Sequence, residues 1–568
     1  MKTKIAMMAL VLGCAAGTCF ADSTVRFTKP DRRWLWGGLG FHNQEATMLP
    51  IMTDEFRDER AVKTFREISP TYSRVFAVMV DSTREALDSF ADYYDLTFRK
   101  AGTTLYVTPA RFPYIDRDFD ATNHFERIAR HCDYLMRERN LNKIRYFTVA
   151  NELHCDHEYL WFWTTKWPEV RTPDPVRTRL YRDYCELMYL AFKRHGLDIG
   201  LCATDGATEL ACDDEMRWAI ENVNEFVDTY CVHFYCFNDA EPGDLSNYDY
   251  VHTNLAKAVE LAYRREKRCS LGEFGYIGGP ALSRPGAMRE DCGYAWRDPS
   301  KEHLAAISYV EMAFAAINAG MVEAARWTMC DYPDPMLREN GDTDDEKKAY
   351  QVARFSGSGV TTRYNKHGMF RWCEDEHDYS ARADLYAYGY AAKLFRKGGR
   401  ILPSESDDAT LRTCGITFAD GSATIGLINW GGPKTVKIDC VCHRMTKKLR
   451  VYRYDSASVP YNDFNDLQPF DGTVEQAADG TIAVDLPARS IAYLTSDYVD
   501  RVPAAVGGLR MVGGRLRWTA SDEPEHVYYR LYRNGKQIAS TVATSRPADG
   551  SLEEYRVTSV DKWGNEGN

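Results

Sequence analysis

Short apolar runs alternate with amphipathic segments between about residues 30 and 400. The apolar runs have the length of strands: RRWLWGGLGF, YSRVFAVMV, TTLYVTP, IRYFTVANE, LDIGLCATDG, VDTYCVHFY, RCSLGEFGY and VEAARWTMCDY. The segments between them place apolar residues at helical spacing, as in NHFERIARHCDYLMRERN, where Asn123 and Glu126 are the predicted N-terminal cap. Eight strand–helix units in one stretch predict an α/β protein with a (β/α)8 TIM barrel over residues 22–400.

A doubly wound open sheet is the alternative arrangement for alternating strands and helices. Such a sheet usually carries a glycine-rich phosphate turn after its first strand, and GGLGF lacks the GxGxxG spacing. The barrel is therefore favoured. Its last helix, ADLYAYGYAAKLFRKG, follows an acidic connection over residues 333–378 that is longer than loops usually are.

The pattern changes to period two after residue 400. The runs TLRTCGITFA, SATIGLINW, KTVKIDCV, KKLRVYRYD and GTIAVDLPARSIAYLTS predict an all-β sandwich over residues 401–497 that braces the barrel. In the last block, residues 501–568, Trp518, the run YRLYRNG and the Tyr555-x-Val557 strand resemble a fibronectin type III module. We expect that small sandwich to be a spacer or docking unit.

The N-terminal segment MKTKIAMMALVLGCAAGTCFADS is typical of an export signal. Two lysines precede an apolar stretch and then small residues, which predicts a signal peptide over residues 1–21 that is too short to span a bilayer. The sequence therefore predicts a secreted or periplasmic protein. Val11-Leu12-Gly13-Cys14 also resembles a lipobox, so a lipid anchor at Cys14, on the outer membrane, is the alternative.

Charge and cysteine spacing exclude several classes of protein. The chain carries a formal net charge of −11, and removal of the signal peptide with its two lysines makes it more negative. Such a surface repels nucleic acid. None of the 16 cysteines forms a CxxC pair, so zinc-ribbon and thioredoxin-like sites lack support. Those within apolar runs are expected to be buried free thiols: Cys202, Cys231, Cys269 and Cys330.

Polar side chains end most of the predicted barrel strands, where they would project into one shared cavity. In strand order they are Arg74, Asn151 and Glu152, Asp205, His233 and Tyr235, Glu273, and Trp327 with Asp331. Glycoside hydrolysis needs two opposed carboxyl groups, one neutral and one ionised. Arg74 and Tyr235 are the candidates to hold Glu273 ionised. The residues alone do not decide which glutamate is the acid.

Metal-dependent chemistry finds little support in the sequence. His154 and His157 form an HxxH spacing directly after Glu152, but no matched third ligand accompanies them. A metal-dependent barrel hydrolase would carry a His-x-His at the first strand, and GLGFHNQ offers only His42. We therefore predict no metal and no other cofactor. The tryptophans of the same loop line a substrate subsite or pin the loop to the barrel: Trp161, Trp163 and Trp167.

These motifs together resemble clan A of the glycoside hydrolases, most closely family 5, with family 39 next. Asn151-Glu152 resembles the acid/base motif of the clan's fourth strand, and LGEFG resembles its nucleophile motif on the seventh. The resemblance implies that Glu152 is the acid/base and Glu273 the nucleophile. It also implies a substrate-binding set: Arg74, Asn151, His233, Tyr235 and Trp327. Leu153 departs from the family 5 pattern, where proline often follows the Asn-Glu pair.

The sequence thus predicts a retaining glycoside hydrolase that cleaves β-glycosidic bonds of an oligo- or polysaccharide. Retention requires carboxyl groups about 5–5.5 Å apart. Asn151 is expected to bind the sugar 2-hydroxyl. The alternative function is that of a non-catalytic carbohydrate-binding protein on a degenerate glycosidase barrel.

Overall fold

A computed structural model of the chain describes residues 21–31, 33–43, 53–76, 83–108, 119–152, 174–207, 210–236, 243–276, 302–333, 364–365, 367–372, 378–440, 443–445 and 447–567. Several predictions fall outside these residues: the signal peptide before residue 21 with its lipobox, the loop that carries the HxxH spacing and three tryptophans, and most of the acidic connection.

The centre of the molecule is a closed barrel of eight parallel strands. A first strand, β1 (Ala21–Phe27), precedes the barrel. The barrel strands are β2 (Gly38–His42), β3 (Tyr72–Phe76), β4 (Thr104–Thr108), β5 (Ile144–Thr148), β6 (Gly200–Ala207), β7 (Thr229–Cys236), β8 (Arg268–Tyr276) and β9 (Glu323–Arg326). Each pairs with the next, and β9 pairs with β2 to close the ring. The predicted (β/α)8 barrel is confirmed.

Helices surround the barrel between successive strands. They are α1 (Val62–Ile68), α2 (Arg84–Leu96), α3 (Phe98–Ala101), α4 (Ala121–Asp133), α5 (Pro175–His195), α6 (Met216–Asn222), α7 (Leu245–Tyr263), α8 (Glu302–Ala319) and α9 (Ala383–Leu394). Turns of π-helix adjoin three of them: Phe56–Ala61, Tyr134–Glu138 and Ala211–Glu215. None of the helices in the described part of the chain is long and apolar enough to cross a membrane.

The start of α4 corrects one sequence prediction. Asp120, not Asn123 with Glu126, caps this helix, and its carboxylate accepts from the Asn123 backbone N–H at 3.0 Å. Asp120 has non-helical dihedral angles, so the helix begins one residue later. Aspartate is among the strongest N-cap residues because its oxygen satisfies a free N–H of the first turn.

Two sheets form the sandwich that follows the barrel. After a short pair, β10 (Tyr332–Pro333) and β11 (Tyr364–Asn365), its strands are β12 (Arg400–Leu402), β13 (Ser404–Ser406), β14 (Leu411–Thr417), β15 (Ala423–Asn429), β16 (Lys434–Asp439), β17 (Leu449–Asp455), β18 (Gly472–Val474), β19 (Thr481–Leu486) and β20 (Ser490–Thr495). One sheet has the order β12-β14-β15-β20-β17-β18, and the other has the order β13-β1-β16-β19.

The membership of β1 in the sandwich corrects the predicted start of the barrel at residue 22. Residues 21–26 pair in parallel with β16, and Val25 is fully buried in the sandwich core. Along this strand, burial alternates from Ser23 to Phe27, with Arg26 exposed between buried neighbours. That alternation suits a sheet with one buried face, whereas barrel strands are buried on both faces.

The helices α8 and α9 join the barrel to the six-stranded sheet of the sandwich. α8 is apolar on nearly every face, as expected for a helix buried on all sides. Its Phe314 ring lies against β15 at Gly426, where a Cβ atom would come within 2.3 Å of the ring. Its Glu311 accepts from Arg412 at 2.8 Å and from Trp430 at 3.1 Å, both in the sandwich. The sandwich therefore braces the barrel directly.

The C-terminal module consists of two three-stranded antiparallel sheets. Its strands are β21 (Arg510–Val512), β22 (Arg515–Arg517), β23 (His526–Arg533), β24 (Lys536–Thr541), β25 (Ser545–Pro547) and β26 (Tyr555–Asp561), with a turn of 3-10 helix at Leu552–Glu554. Their orders are β21-β22-β25 and β24-β23-β26. Trp518 packs edge-on against Tyr529 in its core. The fibronectin type III resemblance of this module stays a prediction.

The module is docked on the barrel through buried charges. Lys63 in α1 lies 2.8 Å from Glu67 and 2.6 Å from Asp466 of the sandwich. Asp466 in turn lies 3.1 Å from Arg530 of β23, and Tyr528 donates to Glu67 at 3.1 Å. One ionic network thus links all three parts of the chain.

Candidate active site

Glu152 lies just beyond the C-terminal end of β5, in an unusual backbone conformation. Its φ is +45°, in the left-handed region that non-glycine residues rarely adopt. Its backbone N–H donates to the carbonyl oxygen of Asp205 at 2.9 Å. The neighbouring strand β6 therefore holds this backbone in place, and the Glu152 side chain remains about one-fifth exposed.

Two β-bulges direct side chains into the barrel mouth. Between β6 and β7 the register shifts at Asp205, and between β7 and β8 it shifts at Gly272. A bulge leaves one residue unpaired and turns the strand. The second bulge places Glu273 opposite His233.

The glycines of LGEFG are needed because β7 side chains pack against them. A Cβ atom at Gly272 would lie 2.5 Å from Sγ of Cys231 and 3.0 Å from Nε2 of His233. A Cβ atom at Gly275 would lie 2.9 Å from the Tyr235 ring. The contacts with Cys231 and Tyr235 are closer than a real side chain allows, so the motif reflects the approach of β7 to β8.

Arg74, on β3, contacts polar groups on β6 and β8 and just beyond the end of β5. Its side chain is fully buried, and its Nη1 donates to Glu273. Its Nη2 donates to Asp205 at 2.6 Å and to Asn151 at 2.5 Å. A buried guanidinium is stabilised by charged or polar acceptors, and both terminal nitrogens of Arg74 have them. Tyr235 donates to the other oxygen of Glu273 at 2.7 Å.

His233 lies between two carboxylates. Its Nδ1 is 2.7 Å from Oε1 of Glu152, and its Nε2 is 3.0 Å from Oδ1 of Asp205. Both ring nitrogens can donate only if the imidazole is protonated. Burial lowers the pKa of His233, but the charges of Glu273 and Asp205 outweigh burial and raise it to about 10. His233 is therefore a buried cation at neutral pH.

Glu152 and Glu273 face each other. An oxygen of each carboxyl group lies within 4.8 Å of the other, with Nδ1 of His233 near both. Burial outweighs the opposing charges of His233 and Arg74 and raises the pKa of the Glu273 carboxyl above its ordinary value. The two glutamates thus share one cavity but differ in surroundings, since Glu273 is 5% exposed and Glu152 21%.

Aromatic rings form one wall beside the carboxyl groups. Trp327, half-buried after β9, lies 4.4 Å from the His42 ring and 5.7 Å from the Phe76 ring, measured between centroids. His42 is buried, and burial together with Arg74 lowers its pKa well below the usual value. It is therefore neutral and acts as an acceptor 3.2 Å from Arg74.

Two groups of side chains among the described residues have the spacing of metal ligands. They are Asp205, Cys231 and His233, and Glu152, His233 and Glu273. Both include His233, and both of its nitrogens donate to carboxylates. An imidazolium has no lone pair for a cation. The donor set therefore suits a proton network better than a metal.

The structure brings most of the predicted residues into one hydrogen-bonded network: Arg74, Asn151, Glu152, Asp205, His233, Tyr235 and Glu273. Asp331 lies outside it, paired with Arg382 at 2.7 and 2.8 Å.

Sequence reasoning missed Tyr106, whose hydroxyl donates to Asp205 at 2.8 Å and whose ring lies under the Arg74 guanidinium. Arg74 and Tyr106 are register partners on β3 and β4, so strand alignment was the signal available for finding it.

No protein-family profile matches the chain, and no curated protein matches it in sequence. Solved structures do match. The bacterial orthologue of human α-L-iduronidase has a TM-score of 0.52 at 13% identity, covering 96% of this chain and 98% of that chain. The catalytic domain of GH30 xylanase C from Talaromyces cellulolyticus has a TM-score of 0.51 at 11% identity, covering 84% and 99%.

An endo-β-1,6-glucanase matches with a TM-score of 0.50 at 11% identity, covering 84% of this chain and 94% of that chain. At such identities the likeness concerns the fold. The chain has the fold of the clan A glycoside hydrolases that its motifs resemble.

Proposed function

We propose that the protein is a retaining glycoside hydrolase that cleaves β-glycosidic bonds of an oligo- or polysaccharide by double displacement. Glu273 is the nucleophile and Glu152 the acid/base. The observation that carries the proposal is that one oxygen of each carboxyl group lies within 4.8 Å of the other across one cavity. Retaining enzymes hold them about 5–5.5 Å apart, whereas inverting enzymes need about 6.5–9.5 Å to admit water.

The charges of the site support this assignment of roles. Three carboxyl groups meet two cations, Arg74 and His233, so one proton among the carboxyl groups makes the cluster neutral. Arg74 contacts Asp205 and Glu273 directly, which favours the ionised form of both. The proposed mechanism places that proton on Glu152, as a general acid requires.

In the first step Glu273 attacks the anomeric carbon, and Glu152 gives its proton to the departing glycosidic oxygen. The bond to the leaving group breaks as the glycosyl–Glu273 ester forms. In the second step Glu152, now ionised, takes a proton from water, and the resulting hydroxide displaces Glu273. His233 stabilises the ionised Glu152 through Nδ1–H, which lies 2.7 Å away.

Further side chains are proposed to position the sugar. Asn151 is held by Arg74 at 2.5 Å and stands beside Glu152, where its amide can reach the 2-hydroxyl. A contact there strengthens in the transition state and so raises the rate. Trp327, half-buried on the aromatic wall, offers a ring face for stacking against a pyranose.

The test uses a panel of aryl β-glycosides and the anomeric proton signals of the product. Wild type is expected to release product with the β configuration first. A 2-deoxy-2-fluoro glycoside of the accepted sugar should label Glu273 covalently, as peptide mass spectrometry would reveal. Glu273→Ala should lose turnover while still binding sugar. Sugar binding without any turnover by wild type would instead support the non-catalytic carbohydrate-binding protein.

Because the sequence predicts a signal peptide, we also propose that this activity operates outside the cytoplasm. Cell fractionation of the expressed full chain would test it, and labelling with a fatty-acid analogue would distinguish lipidation at Cys14 from soluble export. Retention of the unprocessed chain in the cytoplasm would contradict export.

A further inference from the structure

A polar cleft of about 720 Å³ lies where the barrel meets the sandwich. Barrel residues contribute one side of it: Arg60 after β2, Glu302 at the start of α8, and Arg371 and Asp378 after β9. Tyr461 and Asn462, between β17 and β18 of the sandwich, contribute the other. The barrel segments all follow the C-terminal ends of strands, so the cleft opens at the same end of the barrel as Glu152 and Glu273.

Four carboxylates and two guanidinium groups line the cleft: Glu55, Glu302, Asp378, Asp463, Arg60 and Arg371. Nη2 of Arg371 lies 3.3 Å from Glu302, and its Nε lies 3.8 Å from Asp378. Nη1 of Arg60 donates to the carbonyl oxygen of Asp463 at 2.6 Å. This excess of carboxylates disfavours a phosphate or a nucleic acid as the ligand, because both need positive charge in excess. Carboxylate oxygens accept from hydroxyl groups and guanidinium N–H groups donate to them, so the lining suits the hydroxyl groups of a glycan.

An exposed aromatic ring in the cleft points to a ligand rather than to solvent alone. Tyr461 is 56% exposed, although it is a large aromatic residue, and its ring is held perpendicular to Tyr386 with centroids 5.8 Å apart. An exposed aromatic face of this kind matches the C–H face of a pyranose.

We propose that this cleft is a second carbohydrate-binding site, for a neutral glycan chain, in which Tyr461 stacks on a sugar ring. This rests on the proposed function, because the glycan is taken to be the polymer that the barrel cleaves. Since both sites open at one end of the barrel, a chain held in the cleft is kept close to the glutamates. The cleft then lowers KM for a polysaccharide and leaves small aryl glycosides unaffected.

Affinity electrophoresis tests the site on the inactive full-length Glu273→Gln variant, in gels that contain soluble xylan or soluble β-1,6-glucan. Adding Tyr461→Ala should weaken retention about 3- to 10-fold, the usual worth of one aromatic stacking contact. Tyr461→Phe keeps the ring and should be retained like its parent. Tyr263→Ala is the matched control, since Tyr263 is 43% exposed but ends α7 at the opposite end of the barrel. Thermal unfolding checks that each variant is folded.

The proposal is overturned if Tyr461→Ala and Tyr263→Ala are retained equally, or if neither polysaccharide retains the parent. An active enzyme with those results would leave the proposed hydrolase standing without the cleft site. If retention depends on Tyr461 but the wild type turns over no glycoside, the carbohydrate site in the cleft is supported and the proposed hydrolase is refuted. In active wild type, Tyr461→Ala should raise KM on the retained polymer and change kcat/KM on an aryl glycoside less than about twofold.

Discussion

Nε2 of His233 lies 3.0 Å from Oδ1 of Asp205, and neither side chain is exposed to solvent. Through this contact a residue that touches no substrate sets the charge of the ring that bridges the two glutamates. Asp205 also accepts from Arg74 at 2.6 Å, and its carbonyl oxygen accepts the N–H of Glu152. It is therefore a positioning residue for both halves of the proposed mechanism.

Asp205→Asn should lower kcat roughly 10²-fold with little change in KM, because small displacements of reacting groups have effects of that size. Asp331→Asn is the matched control, since Asp331 forms a buried pair with Arg382 outside the site. Both variants should lose stability in thermal unfolding, but only Asp205→Asn should lose activity. Equal kcat values in the two variants would contradict the positioning role.

His233→Asn should shift the acidic limb of the kcat/KM profile to higher pH, by about 1–2 units. The positive charge of His233 lowers the pKa of Glu273. Without that charge Glu273 takes up a proton at higher pH, so the nucleophile is lost earlier as the medium is acidified. His526→Asn in the C-terminal module should leave the limb in place. An unmoved acidic limb in His233→Asn would argue against coupling of these groups.

Gly272→Ala should abolish most of the activity although alanine is a small residue. Its Cβ atom would meet Sγ of Cys231 at 2.5 Å and Nε2 of His233 at 3.0 Å. Both contacts push β7 away from β8, so the Glu152–His233 hydrogen bond should break. Gly432→Ala, which has no heavy atom within 4 Å of its Cβ, should be neutral. Full activity of Gly272→Ala would disprove the close approach of these strands.

Glu323→Gln should change how stability depends on pH. Burial outweighs the hydrogen bond from Ser270 and raises the pKa of Glu323 to about 7 in the folded protein. The unfolded chain has the ordinary carboxyl pKa of 4.5. The protonated Glu323 therefore stabilises the folded state fully below pH 4.5, and this stabilisation is lost as the pH rises through 7. The shift corresponds to roughly 3 kcal/mol.

The difference in Tm between wild type and Glu323→Gln should therefore decrease when the pH is raised from 5 to 8. Melting curves of the two proteins at both pH values measure this difference. A constant difference in Tm would mean that Glu323 does not titrate in this range.

Asp466→Ala should destabilise the protein by about 3–5 kcal/mol, because it removes the carboxylate shared by Lys63 and Arg530 and leaves buried Lys63 with Glu67 alone. The C-terminal module should then unfold in a separate calorimetric transition. Asp549→Ala removes a surface ion pair to Arg533 and should cost less than about 1 kcal/mol. A single transition at the wild-type temperature in Asp466→Ala would show that the network is not what docks the module.

The fold class and the identity of most site residues were predictable from the sequence. A strand buried on one face shows apolar residues at every second position, whereas a strand buried on both faces is a continuous apolar run. This local difference distinguished the sandwich from the barrel. Glu152 and Glu273 could be singled out because each follows an apolar run that had to be a barrel strand. Because the strands are parallel and close into a ring, their C-terminal ends meet.

Only the tertiary structure decided the rest, because it depends on pairing between distant segments. β1 belongs to the sandwich since residues 21–26 pair with residues 434–439, a partnership that no local pattern encodes. The bulges at Asp205 and Gly272 arise from register between neighbouring strands, as does the contact of Tyr106 with Asp205. The charge of His233 follows from two carboxylates that reach it from other strands. Periodicity determines which face of an element is buried, while the distances between side chains are set by the strands that pack beside it.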